Sequence, residues 1–594
     1  MVEQSVKDIY DLIVDLGKRR GLFWSSYEIY GGLAGFYDFG PVGVLIKRNI
    51  MNYWISFFVR ETDLVVEIET PIITPRAVLQ ASGHEDHFTD PVVECLSCGR
   101  IFRADHLIEE QTNVKAEGLS LDELYRVIVE KNVKCPECGG NLSKPSNALL
   151  LFRTEIGPYK GSIGYIRPEA AQGMFTSFKN ILNVVRYRLP IGVAQVGKVC
   201  RNEISPRQGL IRLREFTIME FEFFFDPTKA YDDVSSVIDE NVLNEKLNIL
   251  SWEDKERGLT EAKPYTVKEL IETGLIKTPW LAYWMGKGNI FVKSLGIPDK
   301  DIRFEEKGPF ERAHYSEQTF DQEVYTQRFG WIEVAGYSYR TNYDLERHSK
   351  FSNADLTYFR KYDKPIDKVV KKLIPNPSRI REVTGESFPQ IMKLISEADG
   401  ELLMQQLIEK NYVEIGGFKL TRDCFVIKED VVKIYGEKIF PHVVEPSFGL
   451  ERLFYVVIEK SLTIDENRIV LRIKPFLAPY QVAVFPLLTS GDEKATRMVE
   501  IARKIHKTLL KSGFWSFYDE EGSIGRRYAR ADEIGIPYCV TIDHQTLEDK
   551  TVTIRDRDTR SQIRVHINEL YDKLMNLINY KNRFESYLDG GLNE

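Results

Sequence analysis

"RNEISPRQGLIRLREFTIMEFEFFF" spans residues 201–225 and carries four arginines and four glutamates. The segment reads as a hairpin. The strand "IGVAQVGKVCRNE" runs into it, a polar loop follows, and "REFTIMEFEFFF" returns. Arms this apolar should be buried, and buried charge is costly unless it is paired or binds something charged. Arg201 and Glu203 stand at i and i+2, which puts them on one face of the first arm. Taken alone, such a pair is more often a surface ion pair than a site.

The surrounding chain sets the scale. Its 594 residues exceed what one hydrophobic core holds, so several domains are expected. Hydrophobic content of 43% and charged content of 28% are ordinary for a soluble globular protein. No apolar stretch of about 20 residues is free of charge, so no membrane span is expected. The opening "MVEQSVKDIYDLIVDLGKRRGLFW" is acidic and amphipathic and has no signal-type apolar region. A cytoplasmic location follows as an expectation. A net charge of −8 argues against non-specific nucleic-acid binding but allows a local basic patch.

"GPVGVLIKRNIMNYWISFFVRET" (40–62) reads as a helix with Pro41 in its first turn. It is apolar almost all round, so it is either central to a large domain or part of a subunit interface. "LVVEIETPIITP" (64–75) reads as a strand ending at Pro71, and 169–187 as a helix. "FGWIEVAGYSYRTNYDLERH" (329–348) alternates as an antiparallel strand does. "VVEPSFGLERLFYVVIEKSL" (443–462) reads as strand, Gly turn and helix. Charged segments at 228–312 and 352–430 read as insertions. After "KPFLAPY" (474–480) strands and helices alternate in the manner of an α/β domain, which places a boundary between 1–475 and 476–594.

Four of the seven cysteines form two pairs, "CLSCG" at 95–99 and "CPECG" at 135–139. Clustered pairs in a reducing compartment suggest metal rather than disulfides. Cys95, Cys98, Cys135 and Cys138 would give one tetrahedral, structural Zn2+ its four thiolates, within an insertion at 92–150. "LDELYRVIVEKN" fills the gap between the knuckles with a helix.

In this order the stretches resemble the class II aminoacyl-tRNA synthetases, and among them the dimeric glycyl-tRNA synthetase family. The helix at 41–60 with the following "ETP" resembles motif 1. "RNE", a loop and "REFTIMEFE" resemble motif 2, and "EPSFGLER" resembles motif 3. "SGHEDHF", "FRADHL" and "RPEAAQG" match glycine-specific stretches, as does the Gly-rich run after Ser26, where Tyr27 intervenes before Glu28. Ala170 departs from the Thr often found there. The resemblance implies an α+β catalytic domain on an antiparallel sheet, followed by an anticodon-binding α/β domain.

It also implies the chemistry. Glycine is activated by ATP with Mg2+ and passed to tRNA(Gly) by a homodimer. Arg201 and Arg452 would be the catalytic cations, since a guanidinium fork grips phosphate oxygens and stays charged. Glu203 would contact the adenine amino group, and Asn202 would belong to the ATP site. Arg212 would reach the γ-phosphate side, Phe216 would stack on the ring, and Ile211, Leu213, Arg214 and Glu215 would belong to the ATP site. Glu333 and Val334 would meet ATP and its metal, and Gly449, Leu450 and Glu451 would complete the nucleotide site. Glycine would be held by Glu169, Glu220 and Glu445 at its ammonium and by Ser447 at its α-carbon. Arg103 would take its carboxylate end. Phe216, Thr217, Ile218, Met219, Pro446, Phe448 and Gly449 would line the rest. Arg526, Arg527, Arg530, Arg555, Arg557 and Arg560 would form a basic set for RNA phosphates in an otherwise acidic chain.

Two other readings compete. A class II synthetase for another amino acid would need different pocket residues. A non-catalytic nucleic-acid-binding relative should have lost the phosphate-binding arginines, and Arg201 and Arg452 are both present.

Overall fold

The computed structural model describes residues 8–581, apart from 117, 159–160, 205, 207 and 466–467. Its frame is a nine-stranded sheet. In chain order the strands are β1 (Val65–Glu67), β2 (Ile191–Cys200), β3 (Glu215–Phe225), β4 (Lys246–Leu250), β5 (Lys263–Thr266), β6 (Ile302–Glu306), β7 (Gln318–Thr326), β8 (Gly330–Thr341) and β9 (His442–Gly449). In space they run β5-β4-β6-β7-β8-β9-β3-β2-β1. Only β1–β2 and β4–β6 pair in parallel. Glu220 of β3 lies opposite Ser447 of β9, which lies opposite Gly336 of β8. Side chains alternate along a strand. Glu220, Glu222, Glu445 and Ser447 therefore share one face, while Met219, Phe221, Phe223 and Phe448 share the other.

The second face carries the main core. Helices α1 (Pro41–Ile55), α3 (Pro279–Ser294) and α4 (Leu450–Ser461) cover it, and α2 (Ala171–Val184) packs on the first face against Phe224. Trp280 and Trp284 of α3 meet Phe223 and Phe221 at ring-centroid distances of 4.4 and 4.7 Å. The helix lies flush on the sheet because Gly288 has no side chain; a Cβ there would fall 1.7 Å from the Tyr337 hydroxyl. Truncating a ring such as Trp284 to Ala should cost about 3–5 kcal/mol. In α1, Ile46, Ile50 and Trp54 are fully buried at i, i+4 spacing, while Arg48 and Asn52 are exposed. The chain's own core thus covers the apolar stripe of this helix, and apolarity alone does not make it a subunit interface.

Three expectations of the sequence reading change here. The strand expected from 64 to Pro71 is only the short β1, and a separate strand, Ile73–Pro75, pairs with Ser162–Ile166 instead of the main sheet. Residues 228–312 are no separate insertion: β4, β5 and β6 extend the central sheet, and α3 fills its core. Their surface charge disguised that role. The segment expected at 352–430 is a compact unit at Thr357–Phe440. It extends to 440 because Phe425–Ile439 pairs along Tyr358–Pro375 as a long two-stranded ribbon. Its own core includes Ile380, Ile391, Leu407, Val413 and Leu420.

Beyond residue 480, five strands form a second sheet. Val482–Pro486 lies parallel to Ser516–Tyr518 and Tyr538–Ile542, and the hairpin Thr551–Asp556/Gln562–His566 completes it. Phe485, Ala531, Ile534, Ile536 and Cys539 of this region belong to the same hydrophobic cluster as the catalytic sheet. The arginine set is not the exposed patch expected for RNA phosphates. Arg527 is buried against the carbonyls of Pro486 and Leu487. Arg555 is bidentate on Asp532, and Arg557 donates to the carbonyls of Gly535 and Ile473. Arg530 pairs with Asp519, and Arg560 with Asp465. Arg526 alone of the six is exposed. The others use the guanidinium fork to satisfy internal acceptors.

Candidate active site

The chain turn after β2 and the start of α4 meet over the first face of the sheet. There they bound a partly open cleft of about 110 Å3. Arg201, Glu203, Arg212, Phe216, Glu333 and Arg452 line it, with Ile211, Leu213, Ile218, Val334, Gly449 and Glu451 between them. Arg201 lies past the end of β2, so Arg201 and Glu203 are loop residues and not strand neighbours on one face. Its Nε donates to the Pro168 carbonyl at 3.2 Å, and its guanidinium sits 5.4 Å from the Phe216 ring and 5.6 Å from that of Phe88. Arg452 reaches across to Ile211 and Glu333. Enclosure opposes ionisation of Glu333, but Arg452 overcomes this and holds the carboxyl below its ordinary range.

Ser447 joins this cleft to a set of buried carboxyls. Glu220 accepts from the Ala170 amide at 2.6 Å and the Ser447 hydroxyl at 2.8 Å. Glu445 accepts from Arg340 at 2.9 Å, and Arg340 is also bidentate on Asp344 at 2.8 and 2.9 Å. Tyr315 lies on the Arg340 guanidinium, 3.6 Å from ring centroid to Cζ. Burial disfavours the charge on Arg340, but Asp344, Glu445 and Glu169 together raise its pKa well above normal. Burial also opposes ionisation of Glu169, yet His84 and Arg340 hold it ionised. Glu220 is pushed up by burial and by Glu169. Glu445 is pushed up to about 8 by burial and by Glu220 and Glu169, against the pull of Arg340. Glu222 is fully buried, neither carboxyl oxygen has a hydrogen-bond partner among the described residues, and burial raises its pKa strongly. The pocket therefore has an excess of acid over base, which suits a small cation.

Residues 160–461 match the family model described as the tRNA synthetase class II core domain (G, H, P, S and T), and 481–577 match the anticodon binding domain. A glycine–tRNA ligase of Aeropyrum pernix is 50% identical over 96% of this chain and 97% of its own length. This chain belongs to the glycyl-tRNA synthetase family. Its counterpart in Pyrococcus horikoshii is 49% identical over 96% of this chain and 99% of its own length; that of Methanocaldococcus jannaschii is 42% identical over the same shares. A solved structure of Giardia lamblia prolyl-tRNA synthetase in complex with prolyl-adenylate superposes with a TM-score of 0.52 at 13% identity. It covers 96% of this chain and 80% of the other, and shows the shared fold.

As a glycyl-tRNA synthetase the chain departs from several expected positions. Met219 and Phe448 point into the core with period-2 regularity, and Pro446 is buried on that same face. Thr217 donates through its amide and hydroxyl to Glu451, which Lys47 also holds. Leu450 is core. Arg214 is tied to the carbonyls of Glu203 and Ala34, Glu215 pairs with Lys198, and the Asn202 amide donates to Leu150. Asn202, Arg214, Glu215 and Leu450 do not line the cleft. Arg103, expected at the carboxylate end of glycine, is bidentate on Asp105 and lies 3.4 Å from Asp90. The sequence reading missed Arg340, Asp344, Gln172, Tyr315 and His84. An arginine four residues before an aspartate, straddling the end of an apolar strand, was the available signal.

The two cysteine knuckles come together. The sulfurs of Cys95, Cys98, Cys135 and Cys138 lie within 4.8 Å of one another, with Cys95–Cys138 at 3.5 Å and Cys98–Cys135 at 3.7 Å. A tetrahedron of about 2.3 Å Zn–S bonds has edges of about 3.8 Å, so the donor set fits zinc. Gly99 and Gly139 take the left-handed conformation, φ 68° and 71°, that each knuckle requires. A small core with Val93, Phe102, Leu107, Leu124 and Ile128 backs the site. The helix Leu121–Glu130, with a Ser120–Glu123 capping box, spans the gap as expected.

Proposed function

We infer that this chain is a glycine–tRNA ligase. It activates glycine with ATP, releases pyrophosphate, and transfers the glycyl group from the adenylate to the 3′ end of tRNA(Gly). One observation carries the reading at the site. Two guanidiniums, Arg201 and Arg452, share a cleft that runs through Ser447 into buried carboxyls. The first is phosphate chemistry and the second ammonium chemistry. In the first step a glycine carboxylate oxygen forms a bond to the α-phosphorus, and the bond to the bridging oxygen of pyrophosphate breaks. Arg201 stabilises the charge on that phosphoryl group, and Phe216 offers a face to the adenine. Arg452 would meet the phosphates on the leaving side, and Glu333 would help to hold the Mg2+ that ATP carries, which would offset the charge of the phosphates. In the second step a ribose hydroxyl of the terminal nucleotide attacks the glycyl carbonyl, and AMP leaves.

Glycine is held by charge and selected by lack of room. Glu169 meets the ammonium as an anion, Glu220 and Glu445 complete its surroundings, and Ser447 closes on the α-carbon. The four cysteines hold a structural Zn2+. Residues 1–475 carry the chemistry, and 476–594 read the anticodon. The homodimer rests on family resemblance, now that the apolar stripe of α1 is covered within the chain; sedimentation at micromolar concentration tests it. No helix among the described residues is long and apolar enough to cross a membrane.

ATP–pyrophosphate exchange with each of the twenty amino acids tests the reading. Glycine alone should support exchange. Exchange with another amino acid and none with glycine would overturn it.

A further inference from the structure

"SGHEDHF" (82–88) marks the family, yet the activation chemistry above gives its first histidine no task. His84 is 2% exposed. Its Nδ1 lies 2.8 Å from the Ser82 hydroxyl, and its Nε2 lies 3.3 Å from Oε2 of Glu169. The carboxylate can only accept, so Nε2 carries a proton and faces it. The other partners of Glu169 do not hold the same oxygen well. Gln172 donates to Oε1 at 2.9 Å, Arg340 stands 3.6 Å from Oε1, and the Tyr315 hydroxyl reaches Oε2 only at 3.5 Å. His84 is thus the nearest donor to Oε2 and fixes how the carboxylate is turned. The segment that carries it is itself pinned, because His314 bonds the Ser82 carbonyl at 3.0 Å.

We propose that His84 is a positioning residue for glycine recognition, its Nε2–H holding the Glu169 carboxylate in the orientation that receives the substrate ammonium. This rests on the reading of Glu169 as an ammonium ligand. A buried histidine that merely filled space would tolerate any polar replacement of similar size. A histidine that orients Glu169 would not. Gln extends its amide to where Nε2 lies, whereas Asn reaches only to the Ser82 side.

The test is glycine-dependent pyrophosphate exchange with His84→Asn, His84→Gln, Glu169→Gln and the double variant His84→Asn/Glu169→Gln. Loss of a hydrogen bond to a charged group predicts that His84→Asn raises KM for glycine roughly tenfold to a hundredfold, with kcat and KM for ATP changed by less than about threefold. His84→Gln should stay within about threefold of the parent, and His84→Asn should add nothing in the Glu169→Gln background. Should His84→Asn fail to fold, His84→Phe, which fills the ring volume without a donor, makes the same comparison. Equal effects of Asn and Gln, an equal rise in KM for ATP, or additive effects in the double variant would each overturn the proposal while Glu169→Gln alone still weakens glycine binding. If Glu169→Gln leaves KM for glycine unchanged, the ammonium reading of Glu169 falls, and the proposal with it.

Discussion

Arg452 donates twice to Glu333 from a single terminal nitrogen, at 2.9 Å to the carbonyl oxygen and 2.7 Å to the carboxylate. A third bond, from Nε to the Ile211 carbonyl at 2.9 Å, ties the same side chain to the loop after β2. The guanidinium therefore bridges the loop and β8. Arg452→Lys keeps a charge and loses this geometry. Loss of one preorganised donor costs about 2.7–4 kcal/mol, so exchange should slow roughly a hundredfold to a thousandfold. Steady-state exchange at saturating glycine, with the melting temperature checked, measures it. A variant within threefold of the parent rate would remove Arg452 from the chemistry.

Arg201 and Glu220 should fail in different ways. Arg201→Lys should lower kcat more than it raises KM for ATP, since the fork is expected to grip hardest in the transition state. Glu220→Gln is nearly isosteric, and its amide fits the existing partners: the carbonyl accepts from Ala170, and the NH2 faces Ser447. Folding should survive, KM for glycine should rise about tenfold, and KM for ATP should hold. Exchange kinetics with each substrate varied in turn separate the two, and an ATP defect in Glu220→Gln would contradict the assignment.

The raised pKa of Glu445 gives a pH test. The folded group titrates near 8, well above its ordinary value of 4.5. Between those values the folded state binds a proton that the unfolded state does not, so this group's contribution to stability is full at low pH and is lost as pH rises towards 8. Glycine binding should move the other way. An ionised carboxylate suits the ammonium, so KM for glycine should fall by up to about tenfold per pH unit below 8 while the ammonium stays protonated. Glu445→Gln should flatten that slope. A flat profile in the parent enzyme would show that Glu445 does not set it.

One zinc per chain should be recovered by elemental analysis of protein purified without chelator. Cys135→Ser should lose it and expose 89–149 to limited proteolysis, because the small core behind the knuckles cannot hold four loose thiols. Zinc-free protein with an intact, protease-resistant module would mean that the cysteines have no metal role.

Removal of residues 478–594 should not leave a well-behaved catalytic fragment. Phe485, Ala531, Ile534, Ile536 and Cys539 share the catalytic core cluster, and Glu533 pairs with Arg19 and Arg20. The truncated chain would expose that apolar surface and should aggregate on expression. A soluble truncated chain that retains full exchange activity would show this interface to be dispensable.

Much of the site was legible because its signals are local. Two C-x-x-C-G pairs, the Gly-Pro entry to α1 and the arginines of the signature motifs sit in short strings whose chemistry stands without tertiary context. The failures share a different cause. Met219 and Phe448 were counted with their neighbours because a contiguous string hides the alternation that turns every second side chain away. Arg527, Arg555 and Arg557 looked like a patch because sequence gives charge but not partner, and their partners lie 22 to 84 residues away. The stretch 228–312 looked peripheral because α3, its most apolar part, is embedded among charges.

The position of β9 has a consequence for the growing chain. It lies between β8 and β3, yet it is the last of the nine strands to be synthesised, with 357–440 translated before it. Until residue 449 has left the ribosome, β3 and β8 each present an unpaired edge, and such edges invite pairing with other chains. Ser447, Glu445 and Arg452 arrive with that strand and the helix after it, so nascent chains shorter than about 450 residues have neither pocket. Ribosome stalling before that point should yield chains that recruit chaperones and bind no ATP, and stalling just beyond it should end both properties.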